Sequence, residues 1–103
     1  MRMLAKIQIP VERGNDALED GSLPRLVQGV LADLKPEAAY FPAMDGYRTA
    51  LIVFDMTDPS QIPAIGEPFF MGLDAEVTLY PVMNADDLGK GLGPAMEAVK
   101  KYS

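Results

Sequence analysis

Asp45-Gly46-Tyr47-Arg48-Thr49-Ala50-Leu51-Ile52-Val53-Phe54-Asp55 is the stretch on which the fold of this 103-residue chain turns. Asp-Gly suits the two central positions of a type I′ turn, where both residues take positive φ, so the flanks read as a hairpin of Glu37–Met44 and Tyr47–Met56. The second half of Tyr47–Phe54 is apolar on both faces, which places this strand inside a sheet rather than at its border. Pro42 cannot donate to a ladder, which puts the first hairpin strand at an edge.

Working outward, Met3 to Ile9 alternates, with Met3, Ala5, Ile7 and Ile9 on one face and Leu4, Lys6 and Gln8 on the other. A period of two is a strand with one buried face. Val11 to Asp20 is polar and reads as a short helical turn loosened by Gly14-Asn15. Ser22 is the expected N-cap of a helix carrying Leu23, Leu26, Val27, Val30, Leu31 and Leu34, a wide apolar stripe. Pro24 fits its first turn and Pro36 stops it. Asp58-Pro59-Ser60-Gln61 combines a capping aspartate, a proline at the first helical position and a glutamine able to close a capping box. The helix that follows buries Ile62, Ile65, Phe69 and Leu73, and Pro68 predicts a kink or break near Gly66-Glu67. Ala75 to Val82 alternates again, with Val77 and Leu79 opposite Glu76, Thr78 and Tyr80. Asn84 caps a last helix with Asp86 and Asp87 in its first turn and Leu88, Leu92, Met96 and Val99 at near-helical spacing. Three glycines and Pro94 weaken that segment, so it wants a partner surface to hold it.

The order is strand, helix, strand, strand, helix, strand, helix: an α+β plan of the ferredoxin-like, split βαβ kind, βαββαβ plus a C-terminal helix. It predicts one domain over residues 1–103, with 84–103 as a C-terminal helical extension. A four-stranded antiparallel sheet would carry both main helices on one face. The other face then needs cover, and two such sheets packed together supply it. A homodimer through the open sheet face is the expectation.

Composition narrows the chemistry. Fifteen acidic residues against nine basic ones give a net charge of −6, and mean hydropathy is +0.04. A negative surface repels nucleic acid and anionic membranes, so neither is an expected partner. With no cysteine and no histidine, disulfides, thiolate nucleophiles, Ser-His-Asp and Cys-His relays, zinc sites and an axial haem histidine are excluded. No cofactor and no metal are called for. The longest uninterrupted apolar run, Ala50 to Phe54, is far below the ~20 residues of a membrane helix, and Met1 to Lys6 meets a charge before any apolar stretch of adequate length, so no signal peptide is expected. A cytoplasmic protein is the expectation.

The order of elements, with an open sheet face, resembles the dimeric α+β barrel superfamily. More narrowly, Arg48-Thr49, Phe54-Asp55-Met56, Asp58 to Pro63, Glu67-Pro68-Phe69 and Pro81-Val82-Met83 look like a family of small uncharacterised bacterial proteins, over residues 3 to 88. The resemblance implies a fold and a homodimer. The wider superfamily includes cofactor-free monooxygenases, muconolactone isomerase-like enzymes, haem-dependent chlorite dismutase relatives and stress proteins of no known activity. Several of those enzymes rely on histidine, which this chain lacks, so their chemistry does not carry over residue by residue.

The polar candidates for a small organic ligand in an apolar pocket between sheet and helices are Arg48, Asp55, Glu67, Tyr40 and Tyr80. Arg48 can grip a carboxylate in a bidentate fashion or pair at the surface with Glu76 or Asp45. Asp55 can serve as a partly desolvated base or accept backbone N–H groups where the next helix begins. Glu67 stands beside Pro68, at a disturbed turn or on a solvated flank. Tyr40, Tyr47 and Tyr80 can place a hydroxyl in a cleft or at its rim; Lys6 would share a face with Tyr80 if the first and last strands pair. Met71 and Met83 offer a soft pocket wall. Gly89-Lys90-Gly91-Leu92-Gly93 is not a phosphate loop, since it lacks the Gly-Lys-Ser/Thr ending and follows two aspartates, and no calcium loop is present. Two functions stay open: a ligand-binding homodimer, with cofactor-free isomerase or monooxygenase chemistry in the superfamily's range, or a non-catalytic interaction module.

Overall fold

In a computed structural model that describes residues 1–103, strand β1 (Arg2–Ile9) lies at the centre of the molecule. It is followed by α1 (Val11–Glu19), α2 (Ser22–Leu34), β2 (Ala38–Tyr40), β3 (Ala43–Met44) and β4 (Tyr47–Asp55). A 3₁₀ turn at Pro59–Gln61 leads into α3 (Ile62–Leu73), then β5 (Glu76–Pro81) and α4 (Ala85–Tyr102). The strands form one antiparallel sheet in the order β2-β4-β1-β5, with β3 also paired to β4. This mixed α+β arrangement is compatible with a ferredoxin-like plan.

The sheet has five strands where four were expected, because the first arm of the hairpin is split. Pro42 offers no N–H to the ladder, and the pairing is interrupted at Phe41-Pro42 between β2 and β3. The carbonyl of Pro42 still accepts from Thr49 N–H at 3.0 Å. Beyond it, Asp45 and Gly46 take φ of 57° and 80°, the positive pair that the turn requires.

The β1–β4 register pairs Met3 with Phe54, Ala5 with Ile52 and Ile7 with Ala50. These side chains point to one face, and all six are buried. Phe69 and Leu73 of α3 and Ala17 of α1 complete the core, with the α2 stripe packed against it.

Three local expectations change and one holds. Val11–Glu19 is a nine-residue helix rather than a turn, since Gly14 and Ala17 are buried against the rest of the fold and packing outweighs weak propensity. Ser22 is not the cap of α2: Gly21 occupies that position at φ 81°, and Ser22 N–H donates to Asp20 Oδ1 at 2.8 Å. Helix α3 runs unbroken through Pro68. The Ala64 carbonyl, which would have accepted from residue 68, belongs to an exposed residue and can turn to water. Asp58 and Gln61 form the expected capping box.

Helix α4 is different in kind. Every one of its residues is exposed. A compact chain of this length has a radius of gyration of about 13 Å, whereas the observed value is 16.9 Å, with extents of 57 × 27 × 21 Å. The excess is the length of an 18-residue helix, roughly 27 Å, projecting from the end of β5. Its root is pinned by a capping box between Asn84 and Asp87 and by a 3.6 Å ion pair from Arg2 to Asp87.

Candidate functional site

Arg48 and Asp55 stand at opposite ends of β4. Seven residues of strand separate them by roughly 23 Å at ~3.3 Å per residue, so one small ligand cannot touch both. Arg48 reaches neither Glu76 nor Asp45. Its Nη2 donates to Asn15 Oδ1 at 3.0 Å and its Nη1 to the Val11 carbonyl at 3.4 Å, which ties β4 to α1. A Cβ on Gly14 would lie 2.9 Å from that Nη1 and 3.2 Å from Ile9, so glycine there is what lets the guanidinium lie against the helix.

Asp55 is 72% exposed and accepts from the Met1 ammonium at 2.6 Å. The backbone N–H groups of Thr57 and Asp58 go instead to Gln61 Oε1. Glu67 is exposed on α3. Met71 and Met83 are 82% and 68% exposed, too open to form the wall of a pocket. The five polar candidates therefore do not converge.

Tyr40 and Tyr80 do share a surface. Successive residues of a strand alternate between faces, so Leu4, Lys6, Leu51, Val53, Tyr40 and Tyr80 lie on the side of the sheet away from the helices. The registers order them in rows: Ala38–Val53–Leu4–Tyr80, then Tyr40–Leu51–Lys6–Thr78. Lys6 and Tyr80 thus share a face across a diagonal. No element of the chain covers these rows, and Tyr40 and Tyr80 remain 66% and 43% exposed. Arg2, which bonds Glu37, and Asp55 rim one end; Gln8 and Glu76 rim the other.

On the helix side, an apolar cleft of about 270 Å³ opens between α2 and the β3–β4 hairpin, walled by Leu23, Val27, Phe41 and Phe69, with Arg48 among its lining residues. A second cleft, about 280 Å³, lies between α2 and α3 near Asp33, Asp55 and Gln61. Nowhere do three acidic side chains gather as metal ligands would. No helix is long and apolar enough to cross a membrane.

Ionisation is displaced at three groups near the surface, each with a local structural cause. The Arg2 guanidinium is raised by its hydrogen bond to Glu37 and then by that carboxylate's charge. Asp20 and Asp58 are held below the usual carboxylate range by hydrogen bonds from Ser22 and Ser60.

No family model matches the chain, and neither does any curated protein or solved structure. What stands is the fold itself, an α+β order of strands and helices compatible with a ferredoxin-like plan. What sequence reading missed is the bond from Arg48 to α1, carried by Gly14; its one sequence signal was a glycine inside an otherwise polar helical segment.

Proposed function

We propose that this protein is a self-associating module whose open sheet face joins a second copy, as in a dimeric α+β barrel. One observation carries the reading: Leu4, Leu51, Val53, Tyr40 and Tyr80 form contiguous rows that no element covers, on a sheet whose other face carries the helices and the core. A sheet with one apolar face left in water is stabilised when two such faces meet about 10 Å apart. An isologous contact repeats each favourable pair twice. Lys6 is the one charged side chain inside the rows, and its four-carbon stem can lie along the apolar surface while the ammonium reaches the rim.

Sedimentation velocity over a concentration series tests this. Leu51→Asp puts a charge in the middle of the contact and should halve the assembled mass at a fixed protein concentration. The same mass for both proteins rejects a sheet-to-sheet interface.

A second reading rests on the cleft beside Arg48. An apolar wall with a guanidinium among its lining residues suits a small molecule with a hydrocarbon body and one carboxylate. Arg48 spends two of its five N–H donors on α1. Saturating octanoate should then raise the melting temperature, and Val27→Trp, which fills the cleft, should abolish the shift. No shift with octanoate rejects the cleft as a site for such acids.

A further inference from the structure

Helix α4 presents a pattern that nothing in its own chain uses. Ala85, Leu88, Leu92, Ala95, Val99 and Tyr102 recur at steps of 3, 4, 3, 4 and 3, the seam of a two-stranded coiled coil. The positions flanking that seam are Gly89, Gly91, Met96 and Ala98, all uncharged. All six charges of the helix (Asp86, Asp87, Lys90, Glu97, Lys100 and Lys101) fall on the opposite side, together with Pro94. The seam is wholly exposed, with Leu92 at 53% and Val99 at 58%.

Alone, such a helix is weak: each interior glycine costs about 1 kcal/mol relative to alanine and an interior proline about 3. A Cβ on Gly89, Gly91 or Gly93 would meet no atom within 4 Å. Nothing inside this chain demands glycine there.

We propose that α4 is a pairing arm that docks antiparallel on α4 of a second copy of this chain. Volume selects the direction. A parallel pair would set Ala85 on Ala85, Leu92 on Leu92 and Tyr102 on Tyr102, leaving gaps at some layers and crowding at others. An antiparallel pair centred between Gly93 and Pro94 stacks Ala85 on Tyr102, Leu88 on Val99 and Leu92 on Ala95. Each layer then joins a larger residue to a smaller one, which keeps packing density even along the seam. The small flanking residues let the axes approach toward the short end of the usual 8–10 Å range.

Charge agrees. The root of the arm carries Asp86 and Asp87 and its tip carries Lys100 and Lys101. Antiparallel docking sets each acidic root beside a basic tip, within about a Debye length, and opposes the two helix dipoles. The arm bears three acidic and three basic residues, so the whole net charge of −6 belongs to the rest of the chain. Copies that repel one another body to body can meet at a neutral arm. This contact is separate from the sheet face and does not depend on it.

The chain contains no cysteine, so single replacements report the geometry directly. Under mild oxidation, a mixture of Leu88→Cys and Val99→Cys chains should give mainly the mixed disulfide, and Leu88→Cys alone little. Full-length Leu51→Asp should remain associated through its arms, and adding Leu92→Asp should weaken that association at least tenfold. Efficient self-linking of Leu88→Cys alone would mean parallel arms. Failure to link both in the mixture and in Leu88→Cys alone, with association of the Leu51→Asp protein unchanged by Leu92→Asp, would mean that the arm folds elsewhere or meets a different partner. Either result overturns the proposal. Loss of assembly in Leu51→Asp alone, with the mixed disulfide still formed by the cysteine pair, would limit the arm to a supporting contact and contradict its independence.

Discussion

Residues 2–81 and residues 85–102 use apolar side chains in opposite ways. In the sheet and its three helices, alternation and helical stripes point Ile7, Ile52, Phe54, Phe69 and Leu73 into a common core where each is almost fully buried. In α4 an equally regular apolar seam points into solvent along its whole length. The helix side of the body answers its own hydrophobic pattern; the open sheet face and the arm do not. A pattern that the chain itself leaves unanswered is best explained by a second molecule, because exposed contiguous apolar surface is uncommon on proteins that act alone.

The contrast is tested most harshly in the core. Phe69→Ala should destabilise the body by about 3–5 kcal/mol, the range for large-to-small changes at a fully buried aromatic. Leu92→Ala at a concentration where the protein is monomeric should leave the same denaturant midpoint unmoved. A matching loss from Leu92→Ala would mean that the arm packs on its own body.

Glycine replacements sharpen the comparison at smaller scale. Gly29 in α2 is exposed and a Cβ there meets nothing, so Gly29→Ala should stabilise the body by roughly 0.5–1 kcal/mol. Gly93→Ala, on the charged side of α4, should raise helical circular dichroism and tighten association while leaving the body's unfolding unchanged. Gly14→Ala should gain the same helix propensity and lose it again. Its Cβ drives Arg48 off Asn15 and presses on buried Ile9, so its benefit should fall well short of that at Gly29.

The smallest expected effect is acid sensitivity at the helix entrances. Asp20 and Asp58 titrate below their ordinary values when folded. The stability each contributes is therefore present above about pH 4, its unfolded range, and is lost as pH falls through the depressed folded value. Asp58→Asn keeps a cap oxygen for Ser60 N–H and removes the titration. Melting temperatures between pH 5 and pH 2.5 should fall slightly less steeply in this variant. Equal slopes would show that the Asp58 bond does not persist in solution.

Much of the body was legible because its signals are local. Alternation in Met3–Ile9 predicted the buried face of β1, Asp45-Gly46 predicted the turn, and Asp58 with Gln61 predicted the cap. The errors arose where tertiary contacts outweigh local preference. Gly14 argued against a full helix until its burial against Arg48 and Ile9 made glycine the residue that fits. Pro68 argued for a break, yet the carbonyl it orphans sits on an exposed turn that water can reach. The candidate site was less legible, because side-chain type along β4 marks Arg48 and Asp55 alike while only the sheet reveals that they lie a strand's length apart. The open face was legible from counting faces. The seam of α4 was half visible as Leu88, Leu92, Met96 and Val99; Ala85, Ala95 and Tyr102 emerge only with an unbroken, unsupported helix.

The central claim is that two separate surfaces of this chain bind copies of itself. Sedimentation equilibrium of the native chain, Leu51→Asp, Leu92→Asp and the double variant tests it most directly. The native protein should be the heaviest, each single variant should retain one contact and a mass near twice 11.2 kDa, and the double variant should sediment at 11.2 kDa. A native protein that stays at 11.2 kDa across the accessible concentrations would contradict the account.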